Sequence, residues 1–152
     1  MTDIFQREVI DSFRGDHEFL SNFYREMMEY DGHVWATAEH AYQAAKCSKQ
    51  EEYDLFLNPL LTAGQAKRLG RHISIWKNWD SIKFSTMQKI VEAKFEEDTP
   101  IATKLLATGD AILIEGNTWG DRYWGMCNGE GSNHLGQILM HRRDQLRLMN
   151  ER

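Results

Sequence analysis

The run Thr37-Ala-Glu-His-Ala-Tyr-Gln-Ala-Ala-Lys46 constrains this chain more than any other stretch. Thr37 suits a helix N-cap, because its hydroxyl can accept a bond from a backbone N–H of the first turn. Ala41, Tyr42, Ala44 and Ala45 are small or apolar, so much of the helix is expected to be packed. On that helix Glu39, Gln43 and Lys46 fall at i, i+4 and i+7 and share one face. A carboxylate on a packed helix needs a partner or a cavity. Lys46 is a candidate partner, and burial makes either group a better acid, base or nucleophile. The trio is therefore either an ordinary polar stripe or an acid/base and nucleophile set.

Turn and breaker residues place the other elements around it. Short apolar pieces, Ile4-Phe5 and Phe19-Leu-Ser-Asn-Phe-Tyr24, are separated by Gly15 and read as short strands or an irregular cap. Asp31-Gly32 between alternating residues is a strong hairpin signal. Further helices are expected from Thr62 to Leu69 with Gly70 as the stop, and from about Asn78 to Phe95. A short one is bracketed by Pro100 and Gly109. The last runs from near Asn133 to about Met149, with Leu135, Ile138, Leu139, Leu146 and Met149 as its buried stripe. Ala111-Ile-Leu-Ile-Glu115 reads as a buried strand. The expected fold is α+β, mainly helical, a single compact domain over residues 1–152 with a small antiparallel sheet.

Charge and composition narrow the function classes. The net charge is −5, so tight binding of duplex nucleic acid through its phosphates is not expected. No apolar run approaches a bilayer-spanning length, and the N-terminus has no signal-peptide core, which points to a cytoplasmic protein and no membrane partner. Cys47 and Cys127 show no metal-ligand spacing, and reduced thiols are the default. The six histidines form no H-x-x-x-H or similar pair, so no metal site and no cofactor is expected.

Three further places could carry chemistry. The segment Gly116–Gly131 is rich in Gly, Trp, Asn and Asp, and so long a loop in a compact domain is usually functional or disordered. Its tryptophans and tyrosine argue against disorder. Trp119 and Trp124 either cap the core or stack on a planar heterocycle, with Asp121 supplying charge beside it. Asn133 reads as the N-cap of the last helix, a position that can also bind an anion. Asn78 or Asp80 caps the long helix and Trp79 is a staple into the core. Gly70-Arg71 either sits on the surface or aims a guanidinium at a phosphate.

Together these segments resemble the NADAR family of YbiA-like proteins. The matching pieces are Phe19-Leu-Ser-Asn-Phe23, Trp35 through Lys46, Gly70-Arg71, Asn78-Trp79-Asp80, Lys94-Phe95, Leu105-Leu106, Asn117 through Gly125 and Gly131 through Met140. They lie in order along almost the whole chain. Any single piece would be weak; together, in register, they are specific.

The resemblance implies an N-glycosidase acting where ribose C1 is joined to an exocyclic nitrogen. Family substrates are phosphoribosylamino-pyrimidine intermediates of riboflavin synthesis and ADP-ribosylated guanine bases in nucleic acid. Glu39, Lys46 and Asp121 are then the expected catalytic groups. Trp79 and Trp124 would stack on the base, Asn22, Phe23, Trp35 and Asn133 would line or hydrogen-bond the pocket, and Arg71 would hold the phosphate. One route has Lys46 attack the opened sugar as a Schiff-base nucleophile while Glu39 shuttles protons, with Asp121 holding the ribose hydroxyls or steadying positive charge. The other has a carboxylate-activated water attack directly, with Lys46 tuning Glu39. The competing function is a non-catalytic module that binds ADP-ribose or a nucleotide in the same aromatic pocket. No oligomeric partner is implied.

Overall fold

The computed structural model describes residues 7–152, so the Ile4-Phe5 piece lies outside the described residues. In chain order the first elements are β1 (Val9–Ile10), a 3-10 helix (Gly15–Leu20), β2 (Met28–Tyr30), β3 (His33–Trp35), α1 (Ala38–Lys46) and α2 (Gln50–Leu55). Next come α3 (Ala63–Leu69), α4 (Trp79–Lys94), α5 (Pro100–Ala107), β4 (Ile112–Leu113), β5 (Gly116–Asn117), β6 (Met126–Cys127) and α6 (His134–Asn150). The fold is α+β and mainly helical, as the sequence implies. The chain forms two compact units, Asn22–Lys94 on the one hand and the residues up to Ser21 with Phe95–Arg152 on the other.

The Asn22–Lys94 unit is built around α1, against which α2, α3 and α4 pack. Thr37 caps α1, its hydroxyl accepting from the His40 N–H at 3.2 Å. The His40 ring is buried between Thr37 Oγ1 at 2.7 Å and the Leu61 carbonyl at 2.8 Å, which ties the start of α1 to the approach to α3. Strands β2 and β3 form the expected antiparallel hairpin. Asp31 and Gly32 turn it with φ of 55° and 75°, both in the left-handed region that a two-residue turn of this hand requires. At α3 the Thr62 hydroxyl and the Gln65 side chain satisfy each other's backbone N–H groups in a full capping box. Trp79, Met87, Ile90 and Val91 of α4 are buried, and Lys94 is buried with them.

In the other unit, β1 pairs with β4 and β5 with β6, both in parallel. The sequence reading expected only a small antiparallel sheet, which the β2–β3 hairpin supplies. The parallel pairs join residues as far apart as Val9 and Ile112, and no local pattern signals such a pairing. Helix α6 packs on α5 and β4. A Cβ at Gly136 would stand 2.1 Å from the Leu113 carbonyl oxygen, so glycine is what lets α6 approach the strand. Arg142 and Arg143 are buried on α6. Arg142 Nε donates to the Phe95 carbonyl, while Arg143 donates to Thr108 Oγ1 and the Ala111 carbonyl and so fastens the turn after α5. Among the described residues, no helix is long and apolar enough to cross a membrane.

Candidate active site

Packing around α1 decides what its polar face can do. Glu39 is 7% exposed and Gln43 6%, so the carboxylate and the amide are both withdrawn from bulk water. The Gln43 Nε2 group donates to Glu39 Oε1 at 2.7 Å. On its other side, Gln43 Oε1 accepts from Lys46 Nζ at 3.0 Å, and the same nitrogen donates to the Gly70 carbonyl at 3.2 Å. Acid, amide and amine thus form one hydrogen-bonded line along the helix. The link from Glu39 to Lys46 runs through Gln43.

Burial lowers the Lys46 pKa below the ordinary lysine value, and the Arg71 guanidinium lowers it further, against an opposing pull from Glu39. More of the amine is therefore in its nucleophilic form at neutral pH than for an exposed lysine. The neighbouring thiol goes the other way. Cys47 is buried, its Sγ donates to the Gln43 carbonyl at 3.5 Å, and burial pushes its pKa up to about 11. A thiol held protonated is a poor nucleophile.

Other predicted residues of this unit take varied places. The Asn22 carbonyl accepts from the Glu39 N–H at 3.0 Å, filling an open donor of the first helical turn, and its side chain donates to Met87 Sδ. Phe23 is half-exposed beneath Lys67, whose Nζ stands 5.8 Å from the ring centre. Arg71 is exposed at the end of α3. Trp79 packs on Tyr42, one turn before Lys46, with ring centres 5.4 Å apart. Trp35 is 1% exposed, its indole N–H donates to the Tyr30 carbonyl at 2.8 Å, and its ring meets those of His33 and Tyr53 edge-on. That side chain is occupied with holding the hairpin.

Asp121, Trp124 and Asn133 belong to the other unit. Asp121 Oδ1 accepts from the N–H groups of Tyr123 and Trp124 at 3.0 and 2.9 Å, closing a turn on its own side chain. Asn117 locks that turn by donating to the Asp121 carbonyl and accepting from its N–H. The loop is therefore ordered by its own polar groups. Trp124 stands edge-on to Tyr123, and Trp119 is exposed. Asn133 does occupy the N-cap position of α6, but its side chain makes no capping bond. It bridges the Leu113 carbonyl and the Glu115 N–H instead. The N–H groups of Asn133, His134 and Leu135 are taken by the carbonyls of Gly125, Tyr123 and Trp124, so this helix start is already filled by the loop.

A cavity of about 480 Å³ lies in the Asn22–Lys94 unit, floored by Ala41, Ala44 and Ala45 and walled by Tyr30, Tyr53 and Trp76. It uses the other face of α1, and neither Glu39 nor Lys46 lines it. Among the described residues, no cluster of three or more His, Cys, Asp or Glu could hold a metal ion.

A family model described as the NADAR domain matches residues 10–147. The chain belongs to the NADAR domain family. It is similar to the N-glycosidase YbiA of Escherichia coli K12, with 40% identity over 134 residues, 86% of this chain and 82% of that one. An N-glycosidase of Nostoc punctiforme is 36% identical over 133 residues, covering 84% and 85%. The NMR structure of E. coli YbiA matches with a TM-score of 0.83 at 33% identity over 95% of this chain and 88% of that one. A Vibrio vulnificus protein named for riboflavin biosynthesis is 40% identical, but the NADAR chain spans only 36% of its length.

One residue beside this line of the NADAR chain has a contact that the sequence reading did not give it. Gly70 does stop α3, at the C-cap and with a φ of −61° that any residue adopts, so the stop alone does not call for glycine. Glycine leaves the Gln43 amide its room, because a Cβ would stand 1.9 Å from Gln43 Oε1 and displace it. Nothing in the sequence announces a contact between residues 43 and 70.

Proposed function

We propose that this NADAR-family chain is an N-glycosidase. It hydrolyses the bond between ribose C1 and an exocyclic nitrogen, with phosphoribosylamino-pyrimidine intermediates of riboflavin synthesis as substrates. The observation that carries this reading is the hydrogen-bonded line of Glu39, Gln43 and Lys46 on a packed helix. The names of the relatives, N-glycosidase and riboflavin biosynthesis protein, support the bond cleaved and the substrate class.

The chemistry follows from the bond. A ribosyl group on an exocyclic nitrogen can open its ring, leaving C1 as an imine carbon. The Lys46 Nζ lone pair adds to C1. The bond from C1 to the pyrimidine nitrogen then breaks, with a proton delivered through Glu39 to the leaving amine, and C1 remains joined to Nζ as a Schiff base. Water adds to C1, its proton passes to Glu39, and the bond to Nζ breaks. One water enters; the pyrimidine amine and the sugar phosphate leave, and the lysine is restored.

Incubating the protein with a phosphoribosylamino-pyrimidine, and in parallel with ADP-ribosylated guanine DNA, tests the reading by release of free sugar. Sugar phosphate is expected from the pyrimidine. Glu39→Gln should lower the rate roughly 10²- to 10⁴-fold, the usual contribution of a positioned acid/base. The new amide can still accept from Gln43, so the fold should survive. No turnover of either substrate by folded protein overturns the proposal, and full activity in Glu39→Gln removes Glu39 from it. Tight binding of ADP-ribose with no hydrolysis would assign the chain to the binding-module reading instead.

A further inference from the structure

We infer that Gln43 and Gly70 are positioning residues that hold Lys46 as an oriented nucleophile, an inference that rests on the N-glycosidase reading above. Chemistry fixes which way the Gln43 amide lies. One neighbour is a carboxylate, which only accepts, and the other is a lysine ammonium, which only donates. The NH₂ group must therefore face Glu39, at 2.7 Å, and the carbonyl must face Lys46, at 3.0 Å. Reversing the amide would set acceptor against acceptor at one end and donor against donor at the other.

Gly70 completes the device twice over. Its missing side chain gives the Gln43 amide its place, since a Cβ would stand 1.9 Å from Oε1 and 2.5 Å from Cδ. Its carbonyl is the second acceptor for Lys46, at 3.2 Å. A neutral amine has two N–H bonds and one lone pair. Gln43 Oε1 and Gly70 O supply one acceptor for each N–H, which stops rotation about the Cε–Nζ bond. The lone pair is then the one position left, and it turns away from both oxygens. In the ammonium form the third N–H fills that same position, so the proton is lost along the line on which the bond to carbon later forms. Fixing this direction is the positional advantage that makes an enzyme-bound nucleophile outpace a free one.

The experiment is a double-mutant cycle on Gln43→Ala and Gly70→Ala, read as kcat and KM for phosphoribosylamino-pyrimidine hydrolysis, with folding checked by circular dichroism. Each single variant should lower kcat by at least about tenfold while KM stays within about threefold. The double variant should be no worse than the poorer single one, because the three nearest atoms that a Cβ at residue 70 would meet all belong to Gln43. Equal factors for Gly70→Ala in both backgrounds would overturn the inference. A second variant keeps it testable even if Gly70→Ala fails to fold. Gln43→Glu puts a second carboxyl against Glu39 as well as beside Nζ; the two acids share one proton, the remaining negative charge favours the ammonium, and the rise of kcat with pH should move upward by about one unit. A merely structural glutamine would leave that limb in place, and an unmoved limb overturns the assignment. If wild type hydrolyses neither substrate, the N-glycosidase reading falls and takes this inference with it. If wild type turns over and Gln43→Ala matches it, only this inference falls.

Discussion

Replacing Asn133 by alanine separates a role in the fold from a role in the pocket. The Asn133 side chain is buried, accepting from the Glu115 N–H at 3.0 Å and donating to the Leu113 carbonyl at 2.9 Å. Alanine strands both backbone groups. Each unsatisfied group costs about 1–3 kcal/mol, and Glu115 is partly open to water, so a loss of about 3 kcal/mol is expected from the two. Backbone geometry adds a second effect. Residue 133 sits at φ 52° and ψ 44° in the left-handed region, where asparagine is at home and alanine is disfavoured by about 1 kcal/mol. The total of about 4 kcal/mol lowers the unfolding midpoint by roughly 8–16 °C for a chain of this size. Asn133→Gly loses the same bonds but tolerates the backbone, so it should be the milder change by about 0.5 kcal/mol after its extra freedom in the unfolded chain. Thermal melts by far-ultraviolet circular dichroism and urea titrations measure both. A loss below about 1 kcal/mol in Asn133→Ala refutes the bridging role. A variant with wild-type kcat and KM well below its melting point would show that Asn133 serves the fold alone.

Two more outcomes can be checked directly. Cyanoborohydride added during turnover should reduce the Schiff base to a stable secondary amine, and peptide mapping should find the ribosyl adduct on Lys46. Hydrolysis at the normal rate with no adduct would favour direct attack by water. The other outcome concerns stability against pH. Lys94 is fully buried, and burial brings its pKa down to about 7, against a raising influence from Glu26. Below that value the folded and unfolded states are both protonated, and the group gives no pH dependence. Between about 7 and 10 the unfolded chain binds more protons, so stability should rise with pH by up to about 1.4 kcal/mol per unit. Urea unfolding from pH 6 to 10 should show this rise in wild type and lose it in Lys94→Met; equal slopes would refute it.

Elements with strong local signals were legible in the sequence, and those defined by distant contacts were not. Thr37, Thr62 and Pro100 mark the starts of α1, α3 and α5, because a cap satisfies backbone donors only a few residues away. Asp31-Gly32 marks the hairpin for the same local reason. Helix α2 went unread because Gln50–Leu55 buries no side chain and has no capping side chain, so it shows neither stripe nor start signal. The candidate site divides the same way. Helical spacing alone puts Glu39, Gln43 and Lys46 on one face, whereas the partnership of Gln43 with Gly70 depends on how α3 meets α1. Asn133 was legible as a position and not as a role. Its side chain bonds residues 18 and 20 positions back in the chain, and no spacing rule reaches that far.

The spacing of the trio bears on why the acid and the amine are not simply paired. A lysine held directly against a carboxylate is pinned as its ammonium, since the opposite charge favours the protonated form. A lysine buried with no acid nearby would be neutral but would have no group to supply the leaving nitrogen with a proton. Here Gln43 stands between the two, at hydrogen-bond distance from each. Glu39 still raises the Lys46 pKa, but burial outweighs it and the net shift is downward. The amide thus lets a carboxylate and an amine share one helix face without direct pairing. Because the three groups sit on successive turns of a packed helix, their separation is set by backbone geometry, which holds reacting groups more tightly than a loop would.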